Sequence, residues 1–305
     1  MTKPKVDDAQ PGQRIPLHYH FHMLRDAARI QSFKEALDKV VPEGGRVLEL
    51  GGGTGVLSFF AAKRALKVWC VETDPELVEA SRRILGLNPF GQKVEVIHGD
   101  AMEFLPPEPV DVVICEMVHV AMLREKQIQA IRSFKERYGK KFGKKLPVFV
   151  PEGAILAVQP VFQLFNFGGF YAPTPHFYDP LVVHNETQGL GDPFNYQIVM
   201  YAQDLPEQLG CDTEMQIKTA GSLNALRFIL KNAVAVLVPE NRTIDWFSQY
   251  LVIPLAETLK VGAGDGIRVR FSYQPGDPIS SLTDSIRVTH LEREVGRPPQ
   301  TARAR

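Results

Sequence analysis

Residues 46–50 form an apolar run that ends abruptly in Gly51-Gly52-Gly53-Thr54-Gly55, after which helical spacing resumes over 56–65. A strand, a glycine turn and a helix in direct succession leave few folds open. Glycines at 51, 53 and 55 let the backbone turn tightly and approach a ligand closely, as the first crossover of a nucleotide-binding sheet requires. The pattern extends beyond this turn. Residues 67–72, 94–98 and 110–115 read as short strands, and Asp74-Pro75-Glu76 opens a helix with a capping acid and proline at the first helical position. A helix over 124–138 carries Ile128, Ile131 and Phe134 on one side. Another over 22–41 places Met23, Ala27, Ile30, Phe33, Leu37, Val40 and Val41 on one arc. This alternation predicts an α/β fold with a Rossmann-like, doubly wound parallel sheet.

The rhythm changes near Pro147. Residues 154–162, 196–201, 214–219, 224–230, 234–238, 251–254 and 266–272 favour strands, and helical periodicity is scarce. A chain of 305 residues, 44% of them hydrophobic, can fill two cores. The expected organisation is a flexible N-terminus over 1–17, a Rossmann-like domain with an N-terminal helix over 18–150, a mostly-β, barrel-like domain over 151–291, and a basic tail over 292–305. Thirty-five basic residues balance 35 acidic ones, so bulk charge gives no argument for nucleic acid or an anionic membrane as a partner. Cys70, Cys115 and Cys211 are far apart, and two lie in strand-like runs. They read as buried thiols in a reducing compartment, with no metal-ligand spacing. The first 16 residues are polar and show no secretory signal. The uncharged stretch 153–178 is interrupted by prolines and glycines and reads as strands and turns rather than a membrane span. The expected location is the cytoplasm.

The glycine spacing discriminates between ligands. In the dinucleotide fingerprint G-x-G-x-x-G, pyrophosphate sits over a helix N-terminus. Here the third glycine comes one residue early, and Glu49 stands two positions before the first. A carboxylate there repels pyrophosphate and favours a cationic ligand such as S-adenosyl-L-methionine, which carries a sulfonium and an ammonium and no phosphate. A nicotinamide oxidoreductase and a glycine loop without a ligand are the alternatives. Glu72 ends the second strand, where an acid can accept both ribose hydroxyls. Asp100, Ala101 and Met102 follow the third strand and are candidates to line the adenine, against the plainer reading of a turn acid and a core methionine.

Glu116 directly follows the strand 110–115, at the carboxyl edge where such sheets bind ligands. Glu125 comes nine residues later, at the start of the next helix. If the intervening residues loop out, the two carboxylates face each other, and one pKa rises unless a cation lies between them. The helix N-terminus would favour an ionised Glu125. The pair suits a cation, most naturally a planar guanidinium; two unrelated acids, at a strand end and in a helix first turn, are the alternative. Asp26 lies inside an apolar arc with Arg29 at its edge, and a carboxylate on an apolar face needs a partner.

Taken together, these residues resemble the protein arginine methyltransferase family, a branch of the class I S-adenosylmethionine-dependent methyltransferases. Met23-Leu24-Arg25-Asp26-Ala27-Ala28-Arg29 resembles the family's M-L-x-D-x-x-R helix, and residues 47–58 resemble its first motif. Val71-Glu72 resembles its ribose-binding acid, and Glu116 with Glu125 its paired-glutamate loop. Leu146-Pro147 to Ala154 resembles the passage into its β-barrel. The resemblance is close over 18–155 and thin afterwards. It implies S-adenosyl-L-methionine as cofactor, with Arg29 on its carboxylate and Glu72 on its ribose. It implies Glu116 and Glu125 on the guanidinium of a protein or peptide acceptor, and a homodimer formed through an arm near 162–178. Asp26 would then face a polar site.

Three departures bear on the acceptor. The family's T-H-W loop, whose His pairs with the acid at Asp26, aligns with Ile244-Asp245-Trp246. Asp26 and Asp245 are therefore expected to crowd two acids near the site, with Trp246 beside the acceptor. The aromatic motif before the first helix is missing, and His18, Tyr19, His20 and His22 occupy that region. Val118-His119 replaces the family's Met-Gly, which makes His119 a candidate acceptor contact. These departures leave open a small-molecule acceptor, such as free arginine or another guanidino or amine metabolite, and a non-catalytic scaffold on a methyltransferase fold.

Overall fold

The structure is a computed structural model that describes residues 15–291. The basic tail and most of the N-terminal stretch expected to be flexible lie outside the described residues. The first half runs α1 (Leu17–Arg25), α2 (Ala27–Val40), β1 (Arg46–Leu50), α3 (Val56–Ala62), β2 (Lys67–Glu72), α4 (Pro75–Gly86), β3 (Val94–His98), β4 (Val112–Cys115), α5 (Gln127–Phe142) and β5 (Val148–Val150). Its five strands pair in parallel in the order β3-β2-β1-β4-β5. Both faces are covered, so the strands are apolar almost throughout. Val47, Val68, Val112 and Ile114 pack with Phe33 and Leu37 of α2, while Leu48, Leu50, Val113 and Cys115 pack with Ile128, Ile131 and Phe134 of α5. Burying a side chain such as Phe33 contributes about 1.5–3 kcal/mol.

Two helices differ from expectation. The single helix over 22–41 is broken at Asp26, which is extended (φ −67°, ψ 91°) and accepts a hydrogen bond from the Arg29 amide at 2.9 Å. A short acid satisfies one orphan N–H in the first turn of a new helix, and here that local bond wins over continuity. The helix expected from 124 starts at Gln127, because Ala121, Met122 and Arg124 adopt φ of 56°, 54° and 63°.

The second half is antiparallel: β6 (Gly153–Gln163), β7 (Asn166–Phe167), β8 (Phe170–Tyr171), β9 (His176–Tyr178), β10 (Thr187–Gly189), β11 (Phe194–Met200), β12 (Leu209–Gln216), β13 (Gly221–Leu237), β14 (Arg242–Phe247), β15 (Tyr250–Val261), β16 (Gly266–Tyr273), α6 (Ile279–Ser285) and β17 (Arg287–His290). The largest sheet follows β10-β6-β13-β15-β9, with β11 on β6 and β14 on β13. A smaller sheet runs β12-β16-β17. The result is a half-barrel. The two strands expected at 224–230 and 234–238 are one 17-residue strand that pairs with three neighbours. Its alternation points Leu226, Phe228 and Leu230 into the core. The turn after β16 meets the loop before α5. Tyr273 Oη donates to the Ala121 carbonyl (2.9 Å), the Gly276 amide to that of Met122 (2.8 Å), and the Arg124 amide to that of Asp277 (2.8 Å). No helix among the described residues is long and apolar enough to cross a membrane.

Candidate active site

The strand order reverses between β1 and β4, and their carboxyl ends lie side by side, with Leu50 opposite Cys115. This is the switch point where open α/β sheets bind ligands. The loops after β1, β2 and β4 border a cavity of about 1400 Å³, closed on other sides by α1, the start of α2 and residues 245–249 of the half-barrel. Gly51 and Gly53 have φ of 75° and 53°, and side chains would also meet obstacles. A Cβ on Gly51 would lie 2.7 Å from Met117 Sδ, and one on Gly53 would lie 2.7 Å from His20 Cε1. Gly55, with φ of 78°, precedes α3.

The four glutamates of the α/β half that sequence singled out sit differently. Glu72 Oε2 accepts from the Gly53 amide (2.8 Å), while Oε1 accepts from the amides of Thr73 and Asp74 (2.8 and 2.9 Å). The acid at the end of β2 thus braces the glycine loop. Glu49 is 2% exposed and faces the first turn of α3, accepting hydrogen bonds from the Ser58 amide (2.9 Å) and hydroxyl. Burial pushes its carboxyl up to about 7. Glu49 thus has a role inside the fold, apart from the one expected opposite a ligand cation. Glu116 and Glu125 both line the cavity. The backbone around Glu116 is clamped by Gln127, whose side chain donates to the Cys115 carbonyl (2.5 Å) and accepts from the Met117 amide (2.9 Å). Sequence reasoning passed over Gln127; a lone glutamine in a first helical turn carries no signal of this kind.

A cation does meet the glutamate pair, and it belongs to the protein. Arg29, 6% exposed, donates through Nε to Glu116 Oε2 at 2.9 Å and through Nη2 to the same oxygen. Its Nη1 is buried with no hydrogen-bond partner among the described residues. Glu125 was expected to stay ionised beside a helix N-terminus. Instead burial, and then the charge of Glu116, push its carboxyl up to about 7. Its place two residues before α5 leaves the helix field too weak to offset desolvation.

On the half-barrel side, the expected crowding of two acids does not occur. Strand alternation along β14 buries Ile244 and Trp246 and turns Asp245 to the other side. Asp245 pairs with Lys231 Nζ at 2.7 Å, and the Trp246 indole N–H donates to Asp26 Oδ2 at 3.1 Å. Trp246, expected as an acceptor contact, is 8% exposed and packs edge-on against Phe33 with centroids 6.0 Å apart. His119 stacks edge-on against Phe177 of β9 (5.3 Å), and burial lowers its pKa to about 4, so it is a neutral wall of the cavity. Asp100 is exposed and accepts from the Met102 amide (2.7 Å); Asp100, Ala101 and Met102 border the cavity. His20, named from sequence without a role, lies over Gly53, and its buried Nε2 has no hydrogen-bond partner among the described residues.

The residues present fit S-adenosyl-L-methionine. A glycine cradle stands beside a strand-end acid, and two buried nitrogens, Arg29 Nη1 and His20 Nε2, await polar partners in the same cavity. Comparison with known proteins agrees. A family model described as a methyltransferase domain matches residues 47–138. An uncharacterized protein of Methanocaldococcus jannaschii is 27% identical over 273 residues, covering 88% of this chain and 96% of that one. Protein arginine N-methyltransferase 2 of Xenopus tropicalis is 32% identical over 148 residues, covering 47% of this chain and 34% of that protein. An arginine N(omega)-methyltransferase of Streptomyces achromogenes is 31% identical over 144 residues, covering 46% of this chain and 40% of its own. Among solved structures, the Trypanosoma brucei PRMT1 enzyme–prozyme heterotetrameric complex with AdoHcy superposes with a TM-score of 0.70 at 17% identity, covering 90% of this chain and 98% of that one. The protein is an S-adenosylmethionine-dependent methyltransferase whose sequence and fold are similar to those of the protein arginine methyltransferases.

Proposed function

We propose that the protein methylates a guanidino nitrogen of arginine in a protein or peptide. The observation that carries this reading is that Glu116 already holds a guanidinium, that of Arg29, beside a second cavity-facing carboxylate at Glu125. A planar cation bound by carboxylates in a sheltered cavity is the acceptor chemistry in miniature.

Arg29 would hold the cofactor carboxylate through Nη1 while Nε and Nη2 stay on Glu116. Glu72 and the glycine loop, with Glu49 behind it, would hold the nucleoside, flanked by Asp100, Ala101 and Met102. His20 offers a further polar contact beside Gly53. Bound S-adenosyl-L-methionine supplies an electrophilic sulfonium methyl, and its transfer to nitrogen breaks the carbon–sulfur bond and releases a proton. An arginine guanidinium is not deprotonated beforehand. Glu116 and Glu125 bind two of its nitrogens, orient the third and draw charge away from it. Glu125, with its carboxyl near 7, is matched to take the released proton at neutral pH. Asp26 and Asp245 act further out, the first by capping α2, the second at the cavity edge with Lys231.

Free arginine is the second reading, favoured by the similarity to the Streptomyces arginine N(omega)-methyltransferase and by the apolar wall of His119 and Phe177. Incubating the purified chain with labelled cofactor, an arginine-peptide panel and a metabolite panel, then analysing products by mass spectrometry, separates the two. Methylated peptide arginine supports the proposal, and methylation of metabolites alone replaces it. The absence of any product would favour a non-catalytic scaffold. We also propose a homodimer in the cytoplasm. The β7–β8 hairpin exposes Phe167, Phe170 and Tyr171, the β9–β10 loop exposes Leu181 and Val183, and all three cysteines are free thiols. A monomer by light scattering would remove the dimer.

A further inference from the structure

We infer that Trp246 is a positioning residue that ties the cofactor-side helix to the half-barrel through a neutral hydrogen bond. Helix α2 carries Arg29 in its first turn, and Asp26 caps it. One indole touches all the parts of that turn that matter. Its N–H donates to Asp26 Oδ2 at 3.1 Å, its ring packs edge-on against Phe33, and the Arg29 guanidinium lies 5.9 Å from its centroid. The other Asp26 oxygen receives the Arg29 amide at 2.9 Å. The carboxylate therefore bridges β14 and the helix, and Arg29 reaches from that helix to Glu116. Ile244 of β14 shares a buried core with Phe33 and Leu37, and two further polar contacts join α2 to β14. Ser32 donates to the Asp245 carbonyl (2.9 Å), and Arg242 pairs with Glu35 (2.8 Å) at the surface. Of these contacts, Trp246 is the one that meets the Asp26 cap from which Arg29 is held. The donor is an indole N–H, which does not titrate in the accessible range.

The inference rests on the proposed cofactor role of Arg29 for one of its readouts and is independent of it for the other. Trp246→Phe keeps the aromatic contacts with Phe33 and Arg29 and removes the donor. Trp246→His supplies an N–H of nearly the same reach and adds a titratable ring beside a carboxylate. Without ligand, hydrogen exchange of the amides in residues 27–33 should rise at least fivefold in Trp246→Phe and return most of the way in Trp246→His. With S-adenosylhomocysteine, calorimetry should show about tenfold weaker binding for Trp246→Phe. Recovery in Trp246→His, taken relative to the native chain at the same pH, should be greater at pH 6 than at pH 9. Glu35→Ala, which breaks only the surface pair, should change neither readout. Unchanged exchange in Trp246→Phe, or Trp246→His no better than Trp246→Phe, would overturn the inference. If the native chain binds no S-adenosylhomocysteine, the cofactor reading fails, while the exchange measurement still decides the role of Trp246.

Discussion

Glu116→Gln tests the ion pair at the centre of the site. The substitution leaves the Arg29 guanidinium, 6% exposed, facing an amide. Removing one partner of a buried charge pair costs about 3–5 kcal/mol, because the remaining charge stays desolvated without compensation. Two features of the structure place this case at the low end. The glutamine carbonyl can still accept from Nε, and the rings of Phe33 and Trp246 lie 5.6 and 5.9 Å from the guanidinium carbon. The expected loss is about 3 kcal/mol, which for a chain of this length lowers Tm by about 6 °C. Scanning calorimetry without ligand measures it. The companion variants Arg29→Gln and Arg29→Gln/Glu116→Gln close a double-mutant cycle. The double variant has no buried charge left over, so it should lose less than the two single variants combined. Methyl transfer should fall by orders of magnitude in Glu116→Gln, since the acceptor loses a preorganised carboxylate. A ligand-free Tm within 1 °C of the native value, together with additive single effects, would refute the buried pair on which this reasoning stands.

The other predictions concern neighbouring groups. Burial and Glu116 raise the Glu125 carboxyl to about 7 from an ordinary 4.5. The stability linked to it is therefore complete below about 4.5 and is lost as pH rises through about 7. The same ionisation creates the form that binds a cation, so kcat/KM for an arginine acceptor should climb between pH 6 and 8. Glu125→Gln should lose that limb, and a variant profile identical to the native one would contradict the assignment. Gly53→Ala places a Cβ at φ 53° and 2.7 Å from the His20 ring. Backbone strain of about 1–2 kcal/mol and displacement of His20 should weaken S-adenosylhomocysteine binding at least tenfold by calorimetry, and unaltered binding would mean the cradle lies elsewhere. Gln127→Leu strands the Met117 amide in the interior, at about 1–3 kcal/mol. Tm and acceptor turnover should both drop while cofactor affinity holds, and intact turnover would show that Glu116 is positioned by other means.

How legible each feature was in the sequence follows from how local its causes are. The parallel sheet is written in contiguous apolar runs and in a glycine turn whose positive φ values only glycine adopts freely, so pattern alone reaches it. The half-barrel is less legible. β13 spans 17 residues because it pairs with β6, β14 and β15 along different parts of its length, and the polar Lys231 and Asn232 in its middle read as a break. The break at Asp26 and the late start of α5 depend on side-chain and interdomain bonds that periodicity does not register. The same limit applied at the site. Spacing pointed to Glu116 and Glu125 and the family resemblance to Arg29, but that Arg29 grips Glu116 is a fact of two elements 87 residues apart. Asp245 and Trp246 were both placed at the site because they align with the family's T-H-W loop. A strand sends neighbours to opposite faces, which gives Asp26 an indole N–H instead of a second acid.

That geometry changes how the glutamate pair works. Two bare carboxylates in a sheltered cavity would repel each other and draw in any passing cation. Here one of them is already balanced by Arg29, and the other sits where its charge is half-suppressed at neutral pH. Under the proposed function, the attraction offered to an acceptor is thus modest until a cofactor carboxylate meets the free face of Arg29. That contact would share the guanidinium between two anions and leave Glu116 more charge for an acceptor guanidinium. Coupling of this kind is reciprocal by necessity: whatever the cofactor does for acceptor affinity, the acceptor does for cofactor affinity. A site built from one internal guanidinium and two carboxylates therefore favours having both substrates present together over holding either one alone.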